Sequence, residues 1–371
     1  MKLAIVRQKY TPFGGAERFV ERALSALADK GLDVTIVTRQ WRGERQEGRR
    51  VRLCNPFHIG RLWRDAGFSR AVQQIVANGE FDLVQSHERI PGCHLYRAGD
   101  GVHATWLELR ARTQSRLAAL FTRWHPWHRY VLKAEARMFR HPDLRAVICN
   151  SVMVKDDIIG RFGVTPEKLH VIHNGVDLTY FHPDLRVEHR ERIRSELGIP
   201  AQAKVVLFVG SGFERKGLFP LLRALTSLES VHLLVVGKDR KLGRAQQLAV
   251  TLGMSDRIHF LGARTDVRPF YGAADVFALP TLYDPFPNAV LEALACGLPV
   301  LTTPGSGAAE LVDDHCARVV DALDSDWQCR ALAELLVMSP DISALAARKR
   351  AETCGIEDMA GQLLALYSCL V

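Results

Sequence analysis

The alternation of two residue patterns most constrains what this chain can fold into. Short, almost continuously apolar runs are separated by longer segments with helical spacing. Strands of a parallel sheet give such runs because helices cover both faces of the sheet. The sequence therefore predicts an α/β protein with doubly wound parallel sheets. The predicted strands are 3–7, 34–38, 81–87, 95–99, 146–150, 169–173, 205–210, 233–237, 258–262, 276–280 and 300–303.

The alternation stops near residues 174–203, where a charged stretch replaces it, and then resumes. We place a domain boundary there, between an N-terminal Rossmann-like domain of residues 1–180 and a C-terminal one of residues 181–371. Each is long enough to bury its own core. We expect the two to face a central cleft, because ligands of such folds bind at the carboxyl ends of the strands. Whether the last helix returns to the N-terminal domain is left open.

Several protein classes are disfavoured by the sequence. No apolar run reaches the ~20 residues that a membrane-spanning helix needs, and the first run is too short for a signal peptide. The eight cysteines form no CxxC pair, so their spacing fits neither a zinc site nor a disulfide framework. We expect a cytoplasmic protein with reduced thiols.

The positive charge of the chain is concentrated in its first half. Residues 1–180 hold 29 Lys and Arg against 18 Asp and Glu, whereas residues 181–371 hold 20 against 23. This asymmetry indicates an anionic partner for the first half, which would be a nucleic acid, a membrane surface or a phosphorylated substrate.

A glycine-containing loop, residues 210–217 (GSGFERKG), lies between a predicted strand and a helix that begins near Leu218. Its backbone amides and the helix N-terminus would donate to phosphate oxygens. Arg215 and Lys216 add full positive charge, which suits a diphosphate. The loop is neither a Walker motif nor a GxGxxG motif, so an ordinary turn with a solvated basic pair explains it equally well.

A second segment, residues 282–300, carries two carboxylates eight positions apart. Pro287 suits a first helical turn, which places Asp284 in the preceding loop and Glu292 within the helix. The two carboxylates could converge on one polyhydroxylated ligand, because a carboxylate accepts hydrogen bonds from neighbouring hydroxyls. Taken singly, each is explained as well by solvent exposure.

Together these segments resemble the retaining glycosyltransferases of family 4, which have the GT-B fold. The hallmark of that family is an acidic residue, seven intervening residues and a glutamate, within a run very like residues 288–300. The resemblance extends over nearly the whole chain. It is also carried by residues 13–18 (FGGAER), 149–151 (CNS), 171–177 (VIHNGVD) and 262–275.

The resemblance implies roles for the candidate residues. Arg215 and Lys216 would neutralise the donor diphosphate, and Glu292 would hold the nucleotide ribose. Asp284 would touch the sugar ring, although the family usually has the longer glutamate there. Many members also have arginine where this chain has Ser211. The implied donor-binding residues are Gly14, Gly15, Arg215, Lys216, Gly237, Arg264, Asn288 and Glu292.

Many family members place a catalytic histidine near the end of an N-terminal-domain strand. The matching stretch here, residues 95–103 (LYRAGDGVH), has Asp100 at the corresponding position and His103 close by. Either would contact the transferring sugar or the acceptor hydroxyl, although a loop turn alone also explains Asp100. His87 is a further candidate that is better explained as a satisfied histidine at a strand end.

The sequence contains no obvious metal site. Asp324 and Asp326 form an acid-x-acid pattern that binds divalent ions in other glycosyltransferases, but helix capping explains them better. The family implies retention of anomeric configuration, for which we favour front-face attack assisted by the departing phosphate. Cationic side chains would stabilise that leaving group, so we expect neither a cofactor nor a metal.

Residues 103–140 combine basic and aromatic side chains. This composition suits the headgroup region of an anionic membrane. Nucleic-acid binding and packing of the aromatics on the domain core are the alternatives, and we favour the membrane. The residues are Arg110, Arg112, Arg116, Arg123, Arg129, Lys133, Arg137 and Arg140, with Trp106, Phe121, Trp124, Trp127, Tyr130 and Phe139.

Within family 4, residues 9–15 (KYTPFGG) and 39–41 (RQW) resemble the glucosyltransferases that extend the inner core of bacterial lipopolysaccharide from UDP-glucose onto a heptose. The chain is therefore predicted to transfer a hexose, with UDP-glucose favoured as donor, to a lipid-linked saccharide at the inner face of the cytoplasmic membrane. Two alternatives are a nucleotide-sugar epimerase of the same architecture, which needs no acceptor, and a non-enzymatic regulator that binds a nucleotide sugar.

Overall fold

The computed structural model describes residues 1–10, 33–41 and 50–370. It divides the chain into two compact units, one made of Met1–Asn174 with Ile356–Val371 and the other of Gly175–Gly355. A parallel sheet of seven strands lies in the first unit and one of six strands in the second. This architecture confirms the predicted α/β fold class.

The central strands of both sheets are buried, as expected where helices cover both faces of a sheet, whereas the edge strands are partly exposed. In the first unit the strands are β1 Lys2–Tyr10, β2 Asp33–Trp41, β3 Arg50–Leu53, β4 Leu83–Ser86, β5 Leu95–Arg97, β6 Ala146–Cys149 and β7 Leu169–Val171. In the second unit they are β8 Lys204–Val209, β9 Val231–Val236, β10 Ile258–Gly262, β11 Val276–Ala278, β12 Val300–Thr302 and β13 Ala317–Val319.

The helices alternate with these strands. In the first unit, up to residue 174, they are α1 Gly60–Ala77, α2 His103–Ala111, α3 Arg116–Trp124, α4 Pro126–Phe139 and α5 Val152–Phe162. The second unit contains α6 Leu185–Glu196, α7 Leu218–Ala224, α8 Leu242–Thr251, α9 Arg268–Ala273, α10 Asn288–Ala295, α11 Ser325–Val337 and α12 Pro340–Glu352. The last helix is α13 Ile356–Leu370.

Helix α13 belongs to the first unit although it follows the whole of the second. Met359, Leu363 and Tyr367 recur at helical spacing and are buried in one cluster with strand residues Leu3 and Leu83. An amphipathic helix must bury such an apolar face, and α13 buries it on the first sheet. The chain therefore returns to its first unit at its end.

The strand order of each sheet reverses at one point. The first sheet runs β3-β2-β1-β4-β5-β6-β7 and the second β10-β9-β8-β11-β12-β13, with every neighbouring pair parallel. The reversal lies between β1 and β4 in the first sheet and between β8 and β11 in the second. Ligands of open α/β sheets bind beside such a point, outside the carboxyl ends of the strands.

Every predicted strand overlaps an observed one, but β3 and β13 were not predicted. Both are edge strands, where one side needs no partner strand and the pattern need not be apolar. In β3, two arginines alternate with two apolar residues, which hides it among charged neighbours. Residues 15–30, where the apolar spacing predicts a helix, lie outside the described part of the chain.

Candidate active site

The glycines that end β8, β9 and β10 lie side by side at the carboxyl edge of the second sheet. The Gly210 amide donates to the Val236 carbonyl at 2.8 Å, and the Gly237 amide donates to the Gly262 carbonyl at 2.8 Å. Gly237 has φ of 151°, and a Cβ there would overlap the carbonyl oxygen of Gly210. A side chain at Gly237 would therefore separate the strand ends.

At the point of strand reversal, the loop after β8 meets the loop after β11. Arg215 Nη1 lies 3.2 Å from Asp284 Oδ2 and donates to the Tyr283 carbonyl at 2.9 Å. Lys216 Nζ lies 3.5 Å from the same Asp284 oxygen. Lys216 and Asp284 are largely buried, whereas Arg215 remains partly exposed. Two of the predicted donor-binding cations and the predicted sugar-contacting carboxylate thus form one cluster.

Backbone contacts fix both sides of this cluster. The Arg215 carbonyl accepts from the Leu282 amide at 2.7 Å and from Thr281 Oγ1 at 3.1 Å. Gly217 has φ of 80°, and a Cβ there would overlap the carbonyl of Pro280. Asp284 is held in turn, because its amide donates to the Gly305 carbonyl at 2.9 Å. The charged groups are therefore positioned before any ligand arrives.

The amides of the loop after β8 differ from the expectation that they form a phosphate cradle. Those of Gly212 and Phe213 donate to Asp239 Oδ2 at 2.8 and 3.2 Å. These two donors are therefore occupied, whereas the side chains of Arg215 and Lys216 offer positive charge to an anion. The amides that instead close turns within the loop belong to Lys216, Gly217 and Leu218.

Helix α10 carries the other predicted carboxylate. It begins at Asn288, one residue after Pro287, so Asn288 and Glu292 are four residues apart on one helix face. Tyr271 Oη lies 3.0 Å from Glu292 Oε2 and 3.2 Å from the Ala289 carbonyl. Tyr271 is 1% exposed, and its contact orients the half-buried Glu292.

Three further predicted donor-binding residues are Arg264, Gly14 and Gly15. Arg264 follows β10, is exposed, and its guanidinium carbon lies 5.9 Å from the centre of the Phe270 ring. That contact leaves the Arg264 charge at the surface. Gly14 and Gly15 lie outside the described residues.

In the first unit, Asp100 and His103 occupy different environments. Asp100 is exposed in the turn after β5, whereas His103 begins α2 and is buried. His103 Nε2 lies 2.9 Å from His128 Nδ1, and the His103 ring packs edge-on against Trp127. Burial lowers the pKa of His103 to about 3, so the ring is neutral. This arrangement favours Asp100 over His103 for contact with a ligand.

His87 follows β4 at the strand reversal of the first sheet. Its Nε2 lies 3.0 Å from the Gln85 side-chain nitrogen, and burial holds the pKa of His87 well below its ordinary value. The next residue, Glu88, accepts from the Gln8 amide at 2.9 Å, and burial raises the pKa of its carboxyl. His87 is thus a satisfied strand-end histidine beside a carboxyl group that the sequence did not single out.

The described residues contain no group of three or more His, Cys, Asp or Glu arranged to hold a metal ion. Asp324 precedes α11 and its Oδ1 accepts from the Trp327 amide at 2.8 Å. Asp324 therefore caps this helix, as predicted.

Comparison with known proteins now identifies the family. The profile described as Glycosyltransferase Family 4 matches residues 13–180, and the one described as Glycosyl transferases group 1 matches residues 189–352. The lipopolysaccharide glucosyltransferase WaaG of Escherichia coli (strain K12) is 30% identical over 348 residues, covering 92% of this chain and 91% of WaaG. The chain belongs to the family 4 glycosyltransferases.

Solved structures agree with this assignment. The crystal structure of WaaG, a glycosyltransferase involved in lipopolysaccharide biosynthesis, matches with a TM-score of 0.82 at 27% identity, covering 97% of this chain and 98% of that one. The lipopolysaccharide core biosynthesis glycosyltransferase LpsE of Rhizobium meliloti (strain 1021) is 28% identical over 94% of this chain and 92% of LpsE. Anabaena HepE, solved with UDP and glucose, shares the fold, with a TM-score of 0.74 at 22% identity over 99% of each chain. This family 4 glycosyltransferase has the predicted GT-B fold.

Three supporting residues of the glycosyltransferase were not found from sequence. Tyr271 lies in an apolar run that indicates only core, and Asp239 lies in a basic loop that looks solvated. Glu135 is buried, where it accepts from Arg89 Nε at 2.8 Å and from the His103 amide at 3.0 Å. The signal for Tyr271 was its hydroxyl, which needs a partner when buried.

The basic, aromatic stretch of the glycosyltransferase forms helices α2, α3 and α4. Part of it packs inward, since Phe139 of α4 is buried against Tyr96. In α3, however, four large apolar side chains are each more than half exposed and recur at helical spacing. Among the described residues no helix is long and apolar enough to cross a membrane. The exposed residues of α3 are Leu117, Leu120, Phe121 and Trp124.

Proposed function

We propose that this glycosyltransferase transfers a hexose, with glucose from UDP-glucose favoured, to a membrane-associated saccharide such as the lipopolysaccharide core, with retention of configuration. The observation that carries the proposal is the cluster of Arg215, Lys216 and Asp284 at the strand reversal of the second sheet. The names of WaaG and LpsE support the substrate class.

The charge balance of this cluster suits a leaving diphosphate. Arg215 and Lys216 bring two positive charges, and Asp284 offsets one of them. Asp284 holds both cations in place, so they need little reorganisation when negative charge develops on the departing phosphate. The same phosphate would help to deprotonate the acceptor hydroxyl, and no metal is required for the step that we propose.

Glu292 would accept hydrogen bonds from the nucleotide ribose. Tyr271 contacts one of its carboxylate oxygens, which supports an orientation set in advance. A ligand that binds a pre-oriented group loses less conformational freedom. Asn288, one helical turn before Glu292, would contact the donor from the same helix face. The second unit is thus proposed as the donor-binding domain.

The first unit is proposed to bind the acceptor at an anionic membrane surface. Helix α3 combines an exposed apolar face with Arg116 and Arg123, and a basic residue near such a surface contributes ~1 kcal/mol. This arrangement supports peripheral association with the inner face of the cytoplasmic membrane. Asp100, exposed after β5, is the proposed contact to the transferring sugar or the acceptor hydroxyl.

A nucleotide-sugar screen tests the donor assignment. UDP-, GDP- and ADP-glucose would each be added to the enzyme and the melting temperature followed. A ligand at 100 times its Kd should stabilise the protein by about 2.7 kcal/mol, and we expect this for the UDP-sugar. Transfer to lipopolysaccharide core acceptors, with NMR of the new linkage, reads out retention. The proposed donor class is wrong if no nucleotide sugar raises the melting temperature.

A further inference from the structure

A second apolar surface lies in the first unit, between β3 and the start of α1. Phe57 is 85% exposed, Ile59 69% and Trp63 58%, and Leu53 is also more than half exposed. Single exposed apolar residues are common on soluble proteins. Four large ones within eleven residues form a patch of the kind that marks an interaction site.

Side-chain contacts hold this patch beside the helices of residues 103–140. Trp127, in the first turn of α4, donates from Nε1 to Asp65 Oδ2 of α1 at 2.7 Å. The guanidinium carbon of Arg61 lies 4.1 Å from the centre of the Trp127 ring. Trp124, the last residue of α3, is only three positions before Trp127. The first turns of α1 therefore contact the start of α4, which follows the end of α3 directly in the chain.

Positive side chains outnumber negative ones around this contact, where Asp65 pairs with Arg64. The segment 53–63 contains no Asp or Glu. Within the part of the chain that the structure describes, Arg61, Arg116 and Arg123 form no ion pair. Exposed aromatic and aliphatic side chains among unpaired arginines fit an anionic lipid headgroup layer, which takes the apolar groups and the charges together.

The exposed side chains are not needed to hold the segment in place. Arg39 Nη1 donates to Asn55 Oδ1 at 3.2 Å, and His58 Nδ1 lies 2.9 Å from the Pro56 carbonyl. Further along α1, Phe68 is buried in the core. The backbone of the segment is thus fixed from beneath, and its apolar side chains are left for a partner.

We propose that residues 53–63 are a second membrane-insertion element, which enters an anionic bilayer beside α3. The inference rests on the proposed membrane association and adds to it. A single helix lying on a bilayer leaves the attached domain free to rotate about the helix axis. A second point of insertion off that axis fixes the tilt, so that the acceptor-binding edge keeps one orientation towards the lipid-linked saccharide.

The test is binding of the full chain to vesicles of phosphatidylglycerol and phosphatidylcholine. The triple variant Phe57→Ser, Ile59→Ser, Trp63→Ser should bind the vesicles at least about tenfold more weakly than the wild type does. It lacks three apolar side chains whose transfer from water into the bilayer would stabilise the bound state. A matched control is Val337→Ser, Ile342→Ser, Leu345→Ser, which removes three equally exposed apolar side chains from the second unit. We expect the control to bind within twofold of the wild type.

The outcomes separate this inference from the proposal beneath it. If the wild type does not bind the vesicles, membrane association itself is wrong. If the wild type binds and the triple variant binds as tightly, or if the control loses as much, only the second insertion element is refuted. Light scattering tests the remaining occupant, a second copy of the chain. A loss of dimers in the triple variant with unchanged vesicle binding would assign the patch to self-association instead.

Discussion

The strand-reversal cluster of the second unit and the helices of residues 103–140 use the same residue types in opposite ways. In the cluster, Arg215 and Lys216 share a carboxylate and Arg215 is also bonded to backbone. On the helices, Arg116, Arg123 and Arg129 form no ion pair with any described residue, and their apolar neighbours are exposed. Fixed charges suit a small ligand of one shape, whereas unpaired charges on an amphipathic helix suit an extended, fluid surface.

The largest expected effect tests the role of the fixed charges in the strand-reversal cluster. Lys216→Ala should lower kcat about 100-fold to 1,000-fold, roughly 3–4 kcal/mol, because it removes a pre-positioned charge at the leaving group. Steady-state transfer kinetics with UDP-glucose measure it. Arg244→Ala, which removes an exposed cation from α8, is the control and should change kcat less than twofold. If both variants lowered kcat equally, the position of Lys216 within the cluster would not matter for the reaction. The proposed difference between the cluster and the helices would then be wrong.

The next largest effect tests the role of the unpaired arginines on the helices of residues 103–140. Changing Arg116, Arg123 and Arg129 together to Gln should weaken binding to anionic vesicles about 100-fold at low salt, at ~1 kcal/mol for each charge. The difference should shrink at high salt, because exposed charges are screened. Co-sedimentation measures it.

Three exposed arginines of the second unit, Arg192, Arg223 and Arg330, provide a control with the same change in net charge. Equal weakening in both triple variants would mean that net charge alone drives binding. The helices of residues 103–140 would then have no special role at the membrane.

How far sequence reasoning reached differs between these regions for a physical reason. Apolar runs and helical spacing report which segments are buried, so they predicted the sheets, and Pro287 placed Asp284 in a loop and Glu292 on a helix. They cannot report which polar atoms meet. The shared carboxylate of Asp284 and the occupation of the Gly212 and Phe213 amides by Asp239 depend on loop conformations that no period encodes.

The packing of a helix on a sheet that is distant in sequence is equally hard to predict from the sequence. Helix α13 has an ordinary amphipathic pattern, which says that it buries one face but not on which sheet. For residues 103–140, the composition left membrane binding, nucleic-acid binding and core packing as alternatives. The structure shows that the aromatic side chains of this stretch differ in burial: Phe139 is buried in the core, and Trp124 is exposed.

A third prediction concerns the histidine pair that joins α2 to α4. Burial lowers the pKa of His103 to about 3 and that of His128 to about 4, below the ordinary value near 6.5. As pH falls from 7, the unfolded chain takes up protons first, so stability present above pH 7 is lost towards pH 4. The His103 shift corresponds to a loss of about 2 kcal/mol between pH 7 and pH 5. His128, which is more exposed, adds less.

Urea unfolding at the two pH values measures this loss. In His103→Gln, which cannot titrate, the loss should be smaller by about 2 kcal/mol. An undiminished loss in His103→Gln would show that the pair does not titrate as a buried group. The contacts that join α2 to α4 would then be weaker than the comparison with the strand-reversal cluster assumes.

The smallest expected effect tests how strongly the Tyr271 hydroxyl orients Glu292. Tyr271→Phe keeps the buried ring, which packs against Phe181 and Phe277, and removes only the hydroxyl that contacts Glu292. Losing one hydrogen bond of this kind costs about 1 kcal/mol, or roughly fivefold in the Kd for UDP. If Tyr271 acts by orienting Glu292 towards the ribose, preference for UDP over 2′-deoxy-UDP should fall as well. Calorimetry with both nucleotides measures the ratio.

Tyr367→Phe is the matched control for that experiment. It also removes a buried hydroxyl, one that donates to Gln85 Oε1 at 2.7 Å, but in the first unit. It should lower the melting temperature about as much as Tyr271→Phe does, while leaving the preference for UDP over 2′-deoxy-UDP unchanged. A change of preference in both variants would indicate a general loosening of the fold. A change in Tyr271→Phe alone would indicate that one hydroxyl, itself out of reach of the ligand, sets the geometry of the carboxylate that binds it.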